Sequence, residues 1–121
     1  MNKEVNTQTI GRNGEKLAEI YLLDQGMHTL MRNFTSRYGE IDLVMKDKNT
    51  IVFVEVRLRK SNHFGTALET VTAAKQRKLR LSAQYYNLKY KVPHQLQQRF
   101  DVIGITPTNH APEINWVSNA F

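Results

Sequence analysis

Two apolar stretches carry acids in their interiors: Glu40-Ile41-Asp42-Leu43-Val44-Met45 and Phe53-Val54-Glu55-Val56-Arg57, with Glu55 thirteen residues after Asp42. An unpaired charge is costly to bury, so a fold that accepts both stretches must give these acids partners. Ile41, Leu43 and Met45 alternate with Glu40, Asp42 and Val44, and Ile51 to Leu58 is dense in β-branched and aromatic residues, so both stretches read as strands. A tight turn at Lys48-Asn49, with Asn tolerating positive φ, joins them into an antiparallel hairpin. That register sets Asp42 directly against Glu55 and Glu40 against Arg57. Opposed carboxylates repel and weaken the pairing unless a cation or a proton lies between them. Hard ions such as Mg²⁺ take oxygen ligands, commonly one or two carboxylates plus substrate phosphates, which suits phosphodiester cleavage. The competing reading is a solvated face balanced by a Glu40–Arg57 ion pair. Ile51 and Phe53 share the Glu55 face, which favours a pocket at the mouth of a core.

The 121 residues suit a single domain spanning 1–121, and a chain of this size buries roughly two thirds of its unfolded surface. No apolar run approaches the ~20 residues needed to cross a bilayer. The first residues, Met1-Asn2-Lys3-Glu4-Val5-Asn6, lack an apolar signal segment, so the expectation is a cytoplasmic protein without a membrane partner. With no cysteine, disulfides and thiolate zinc sites are excluded, and the histidines at 28, 63, 94 and 110 have no ligand spacing.

The net charge of +6 is unevenly placed. From Arg57 to Lys91, nine Lys/Arg face one acid, Glu69, giving +8 there and −2 elsewhere. A basic excess confined to one segment is the electrostatic footprint of a phosphate-backbone binder, although a basic helix is often only a solvated face.

Thr9 to Gln25 reads as an amphipathic helix with Ile10, Gly14, Leu17, Ala18, Tyr21 and Leu22 on one stripe, Glu15 beside it and Gly26 as the stop. His28 to Phe34 forms a first strand, and Ser61 to Gly65 a loop. Leu68, Val71, Lys75, Leu79, Ala83 and Tyr86 have helical spacing, with a break placed near Thr72. Lys91 to Gln98 is a connector, Phe100 to Thr106 a buried strand with Asp101 inside it as a structural acid or, in the competing reading, one that supports the site acids, and Ile114 to Val117 a final strand. Tyr85, Tyr86 and Tyr90 are able to stack on unpaired bases, with the stripe spacing placing Tyr86 in the core. The order α-β-β-β-α-β-β describes an α/β fold, a mixed sheet flanked by helices.

Gly11-Arg12-Asn13-Gly14-Glu15, Ala18, Tyr21-Leu22, Arg32-Asn33, Gly39-Glu40-Ile41-Asp42, Glu55-Val56-Arg57 with Arg59, Phe64-Gly65, Lys75-Gln76 and Arg99-Phe100-Asp101 resemble the YraN-like family from about residue 10 to about residue 105. Members of that family are regarded as predicted endonucleases, similar to archaeal Holliday junction resolvases within the PD-(D/E)xK nuclease superfamily. The resemblance implies a restriction-endonuclease-like fold whose catalytic set maps to Glu15, Asp42, Glu55 and Arg57, with Asp42 and Glu55 holding Mg²⁺ or Mn²⁺. Arg57 departs from the superfamily's lysine: it stays charged and cannot act as a base, which leaves phosphate binding and electrostatic stabilisation.

The leading expectation is therefore a metal-dependent endonuclease acting on DNA, including branched or structured DNA. Arg57, Arg59, Lys60, Lys75, Gln76, Arg77, Lys78 and Arg80 are the expected nucleic-acid contacts. A nuclease-fold protein that binds nucleic acid without cleaving is the second reading, and an assembly factor using its basic helix on an acidic partner the third. Homodimerisation is left open.

Overall fold

The computed structural model describes residues 7–60 and 67–121, with side chains in the first helix described from residue 14 onward. The expected Ser61 to Gly65 loop, the Phe64-Gly65 pair, the Met1 to Asn6 segment and the side chains of Ile10 and Gly11 to Asn13 lie outside the described residues.

Helix α1 (Thr7–Asp24) is followed by strands β1 (His28–Ser36), β2 (Gly39–Asp47) and β3 (Thr50–Leu58), helix α2 (Ala73–Lys89), then β4 (Gln97–Thr106) and β5 (Glu113–Val117). This is the order read from the sequence. The strands form one mixed sheet in the order β1-β2-β3-β4-β5, with β3 and β4 parallel and the other neighbours antiparallel. Parallel strands need a crossover, and α2 supplies it.

Each helix buries one face of the sheet. On one side Ala18 and Leu22 of α1 pack with Leu43, Met45, Val52, Val54, Ile103 and Ile105. On the other, Leu79, Ala83 and Tyr86 of α2 pack with Phe34, Ile41, Val44, Ile51, Phe53 and Val102. The β3 alternation is regular, so Glu55 emerges on the α2 side beside Ile51 and Phe53, as its pattern indicates.

Strand β2 does not keep the expected alternation. Ile41 lies in the α2-side core and Leu43, two residues on, in the α1-side core. The slip occurs at Asp42, opposite a residue in left-handed conformation on β1, Asn33 at φ 52°. Hairpin geometry also differs in one detail: the residue with positive φ is Lys48, at 55°, rather than Asn49.

The helix placed over Leu68 to Tyr86 is broken where expected. A 3₁₀ turn covers Leu68–Thr70, and Thr72 caps α2, its side chain accepting a 3.2 Å hydrogen bond from the Lys75 backbone N–H. The turn lies close to the sheet because β4 has glycine there: a Cβ on Gly104 would stand 2.6 Å from the Ala67 Cβ.

Asp101 is fully buried, and its role is structural, as its place in an apolar strand indicates. It accepts hydrogen bonds from the Trp116 indole at 2.9 Å, the Asn119 backbone N–H at 2.9 Å and the Arg99 Nε at 3.0 Å, tying β5 and the segment after it to β4.

Candidate active site

The expected hairpin register holds from Asp47↔Thr50 to Leu43↔Val54 and then stops. One step further, where Asp42 and Glu55 would pair through the backbone, the strands part. The Val56 N–H donates to Oδ2 of Asp42 at 2.8 Å instead, so a side-chain carboxylate stands where a ladder acceptor would. In the gap Asp42 reaches three other acids on two sides of the sheet.

Burial and the facing Glu55 carboxylate push the Asp42 carboxyl up to about 8, against the hydrogen bond from Val56, which favours its charged form. The two carboxyls are close enough to share a proton. The repulsion anticipated from their register is therefore present, although the ladder does not enforce it.

Toward α1, Glu15, Glu40 and Asp42 each offer an oxygen, the three atoms lying within 4.8 Å of one another. Asn33 organises this cluster: its Nδ2 donates to Glu15 Oε1 at 3.0 Å and to Glu40 Oε1 at 3.0 Å. The left-handed backbone of Asn33, which Asn tolerates better than most residues, turns that amide toward both acids. The cluster opens into a cleft of about 410 Å³ whose walls include Lys16, Glu19 and Arg32. Glu19 is held by Thr29 at 2.6 Å and by Arg32, which lies 2.6 Å from Oε2, and the Arg32 contact draws the Glu19 pKa below its ordinary value. A larger cleft, about 770 Å³ at the α2–β4 connection, is lined by Asn87, Lys91, Pro93 and His94 among others and contains no carboxylate.

Glu55 is 4% exposed, and its carboxylate faces α2. Oε2 lies 3.5 Å from both Arg57 Nη1 and Lys75 Nζ. Arg57 is further fixed by Thr70, its Nε donating to Oγ1 at 3.0 Å and its Nη2 to the backbone oxygen at 3.3 Å. The anticipated Glu40–Arg57 cross-strand pair does not form, because the ladder ends before those positions: Glu40 turns to Asn33 and Arg57 to Glu55 and Thr70.

The site thus brings together Glu15, Asp42, Glu55, Arg57 and Lys75. Gln76 follows Lys75 in the chain and turns its amide to the Val71 carbonyl at 3.2 Å. Lys60, Arg77, Lys78 and Arg80 are exposed, Arg80 lying 5.2 Å over the Phe121 ring. Arg59 is buried, with its side-chain carbons near Gly104, and stands apart from that exposed group. Tyr86 is core, in edge contact with Phe34 and Phe53, while Tyr85 and Tyr90 are exposed. Glu40 and Asn33 are the organising residues that the hairpin pattern missed. Their signal was the acid–apolar alternation for Glu40 and the turn-prone Asn inside a strand for Asn33.

The donor set is all oxygen, and burial together with the facing Glu55 raises the pKa of one of its carboxyls. An all-oxygen set of this kind fits a hard divalent ion such as Mg²⁺ or Mn²⁺. Among the described residues, Glu15, Glu40 and Asp42 are the ones converging on a common point, with Glu55 adjoining through Asp42.

Fold and site define an α/β protein with an acid-lined opening in its sheet, flanked by a basic helix. The family model described as "Uncharacterised protein family UPF0102" matches residues 14–105. A UPF0102 protein of Vibrio parahaemolyticus is 45% identical over 112 residues, covering 93% of this chain and 91% of the relative. One from Stutzerimonas stutzeri is 44% identical over 115 residues, covering 95% and 96%, and one from Pseudomonas paraeruginosa is 40% identical over 123 residues, covering 100% and 98%. The chain belongs to the UPF0102 family, in agreement with the YraN-like motifs. Among the described residues no helix is long and apolar enough to cross a membrane.

Proposed function

We propose that this protein is a divalent-metal-dependent endonuclease that hydrolyses DNA phosphodiester bonds, including those of branched or structured DNA. The observation that carries the reading is the Asp42 carboxyl at the sheet opening, pressed by Glu55 on one side and by Glu15 on the other. Such crowding is unfavourable unless a cation or a proton relieves it, and a fold does not gain stability from it. The motif resemblance to the PD-(D/E)xK superfamily and its restriction-endonuclease-like fold supports the same reading, as does the basic segment that begins at Arg57.

Glu15, Glu40 and Asp42 would hold the ion, with Glu55 adjoining. When bound, a divalent ion supplies Lewis-acid polarisation of a phosphoryl oxygen and a lowered pKa for water. The chain's own residues do the rest. Asn33 orients Glu15 and Glu40, Val56 N–H orients Asp42, and Lys75 beside Glu55 meets the negative charge of the phosphate backbone.

A panel of single-stranded, duplex, flap and four-way DNAs incubated with Mg²⁺ or Mn²⁺ tests the proposal. Cleavage that EDTA and Asp42→Asn both abolish is the expected result. Salt-sensitive binding of the same DNAs without cleavage under any divalent ion would instead indicate a nuclease-fold binding protein.

A further inference from the structure

The basic side chains at Glu55 are not equivalent, although both lie 3.5 Å from the same carboxylate oxygen. Arg57 donates to protein from each of its three guanidinium nitrogens, Nε and Nη2 to Thr70 and Nη1 to Glu55, which fixes the plane of the group and leaves one N–H on each terminal nitrogen. Thr70 is itself fixed, its hydroxyl donating to the Ala67 carbonyl at 2.6 Å. The Ala67 to Thr70 turn in turn depends on the space left by Gly104. Arg57 is therefore a rivet between the end of β3 and the 3₁₀ turn.

Lys75 differs in each respect. It comes from the first turn of α2, and among the described residues its Nζ meets Glu55 alone. An ammonium carries its three donors on a flexible stem, so with a single contact it is free to turn toward a ligand, whereas the Arg57 fork is held at three points. Its backbone is held by the Thr72 cap, which fixes where the stem starts without constraining the charge at its end.

We propose that Lys75 is the cation that contacts the DNA phosphate at this site and that Arg57 is a positioning residue, holding Glu55 and the Thr70 turn without touching DNA. This assignment rests on the nuclease reading. Arg57 then occupies the motif position because its planar fork spans two acceptors on Thr70 and one on Glu55, which a lysine cannot do.

The test compares Lys75→Ala, Lys75→Arg, Arg57→Ala and Thr70→Val by duplex-DNA affinity across a salt series with EDTA present, by thermal melting, and by single-turnover cleavage with Mn²⁺. Lys75→Ala should lower the log–log salt slope by about 0.9, the decrease expected for one phosphate, with a smaller drop in melting than Arg57→Ala, and Lys75→Arg should restore the slope. Arg57→Ala should keep the parental slope and melt earlier. Combining it with Thr70→Val should add little to that shift, because both remove the same link. A parental slope in Lys75→Ala, or a reduced slope with unchanged melting in Arg57→Ala, overturns the assignment. If the parent still cleaves DNA in that case, the nuclease reading survives and only the division of roles falls. A parent that neither binds nor cleaves DNA overturns both.

Discussion

Oδ2 of Asp42 accepts a hydrogen bond from the backbone N–H of Val56 at 2.8 Å, at the point where β2 and β3 separate. A ladder that simply ended there would leave the Val56 N–H without an acceptor at the edge of the core, and the carboxylate provides one. The same interaction positions Asp42 between Glu15 and Glu55. Structure and chemistry are therefore separable at this residue: the acceptor is needed for folding, the charge is not.

Asp42→Asn preserves an acceptor oxygen for Val56 while removing a carboxyl that the folded protein holds protonated at neutral pH and the unfolded chain ionises. The metal-free variant should be at least as stable as the parent at neutral pH and should lose Mn²⁺ binding. Thermal melts in EDTA and isothermal titration with Mn²⁺ check both halves, and a destabilised variant that still binds Mn²⁺ like the parent would contradict them.

The raised Asp42 pKa fixes the sign of a pH effect. The folded protein retains a proton up to about 8 that the unfolded carboxyl releases near 3.8. This group's contribution is thus fully present below the unfolded value and is lost as pH rises toward the folded one. Metal-free melting temperature should fall relative to Asp42→Asn across that interval, with the gap between them widening as pH increases. Mn²⁺ affinity should rise over the same interval, because binding must displace the proton. A gap that is constant with pH would remove Asp42 as its source.

Asp101→Ala removes the acceptor that Trp116, Asn119 and Arg99 share in a fully buried site. Loss of about 3 kcal/mol or more is expected, the scale for removing one partner of a buried charged network. Urea unfolding measures it. Trp116 fluorescence should report the release of β5 in the same titration.

Gly104→Ala places a Cβ against Ala67 at 2.6 Å, too close without movement of the 3₁₀ turn. Overpacking of this kind costs roughly 1–3 kcal/mol. Because Thr70 moves with the turn, the Arg57 hydrogen bonds should loosen as well. Combining Gly104→Ala with Arg57→Ala should therefore cost less than the sum of the two, as melting of the double variant will show.

Arg77 and Lys78 are exposed on α2 close in sequence to Lys75. Reversing both charges should weaken DNA binding and flatten its salt dependence by about 0.9 for each phosphate no longer neutralised. Unchanged binding would make that face merely solvated.

The chain's local patterns determined the element order, the hairpin register and the two-sided core. Each of these follows from short-range periodicity: β-branched runs for β3, helical spacing from Leu68 to Tyr86, and a break before the Thr72 cap. Asp42 and Glu55 were legible as a problem, because charge inside apolar strands demands an explanation. Several features came only from tertiary packing. The slip of β2 between Ile41 and Leu43 depends on the left-handed turn of Asn33 on a neighbouring strand, and no alternation within β2 announces it. Glu40 entered the acid cluster, rather than pairing with Arg57, because the ladder ended before that pair. Lys75 meets Glu55 across twenty residues of chain because α2 returns over β2 and β1 and its first turn carries the long Lys75 side chain to the Glu55 carboxylate. Sequence spacing sets which face a side chain takes within its own element; which charges meet is decided by where separate elements come to rest.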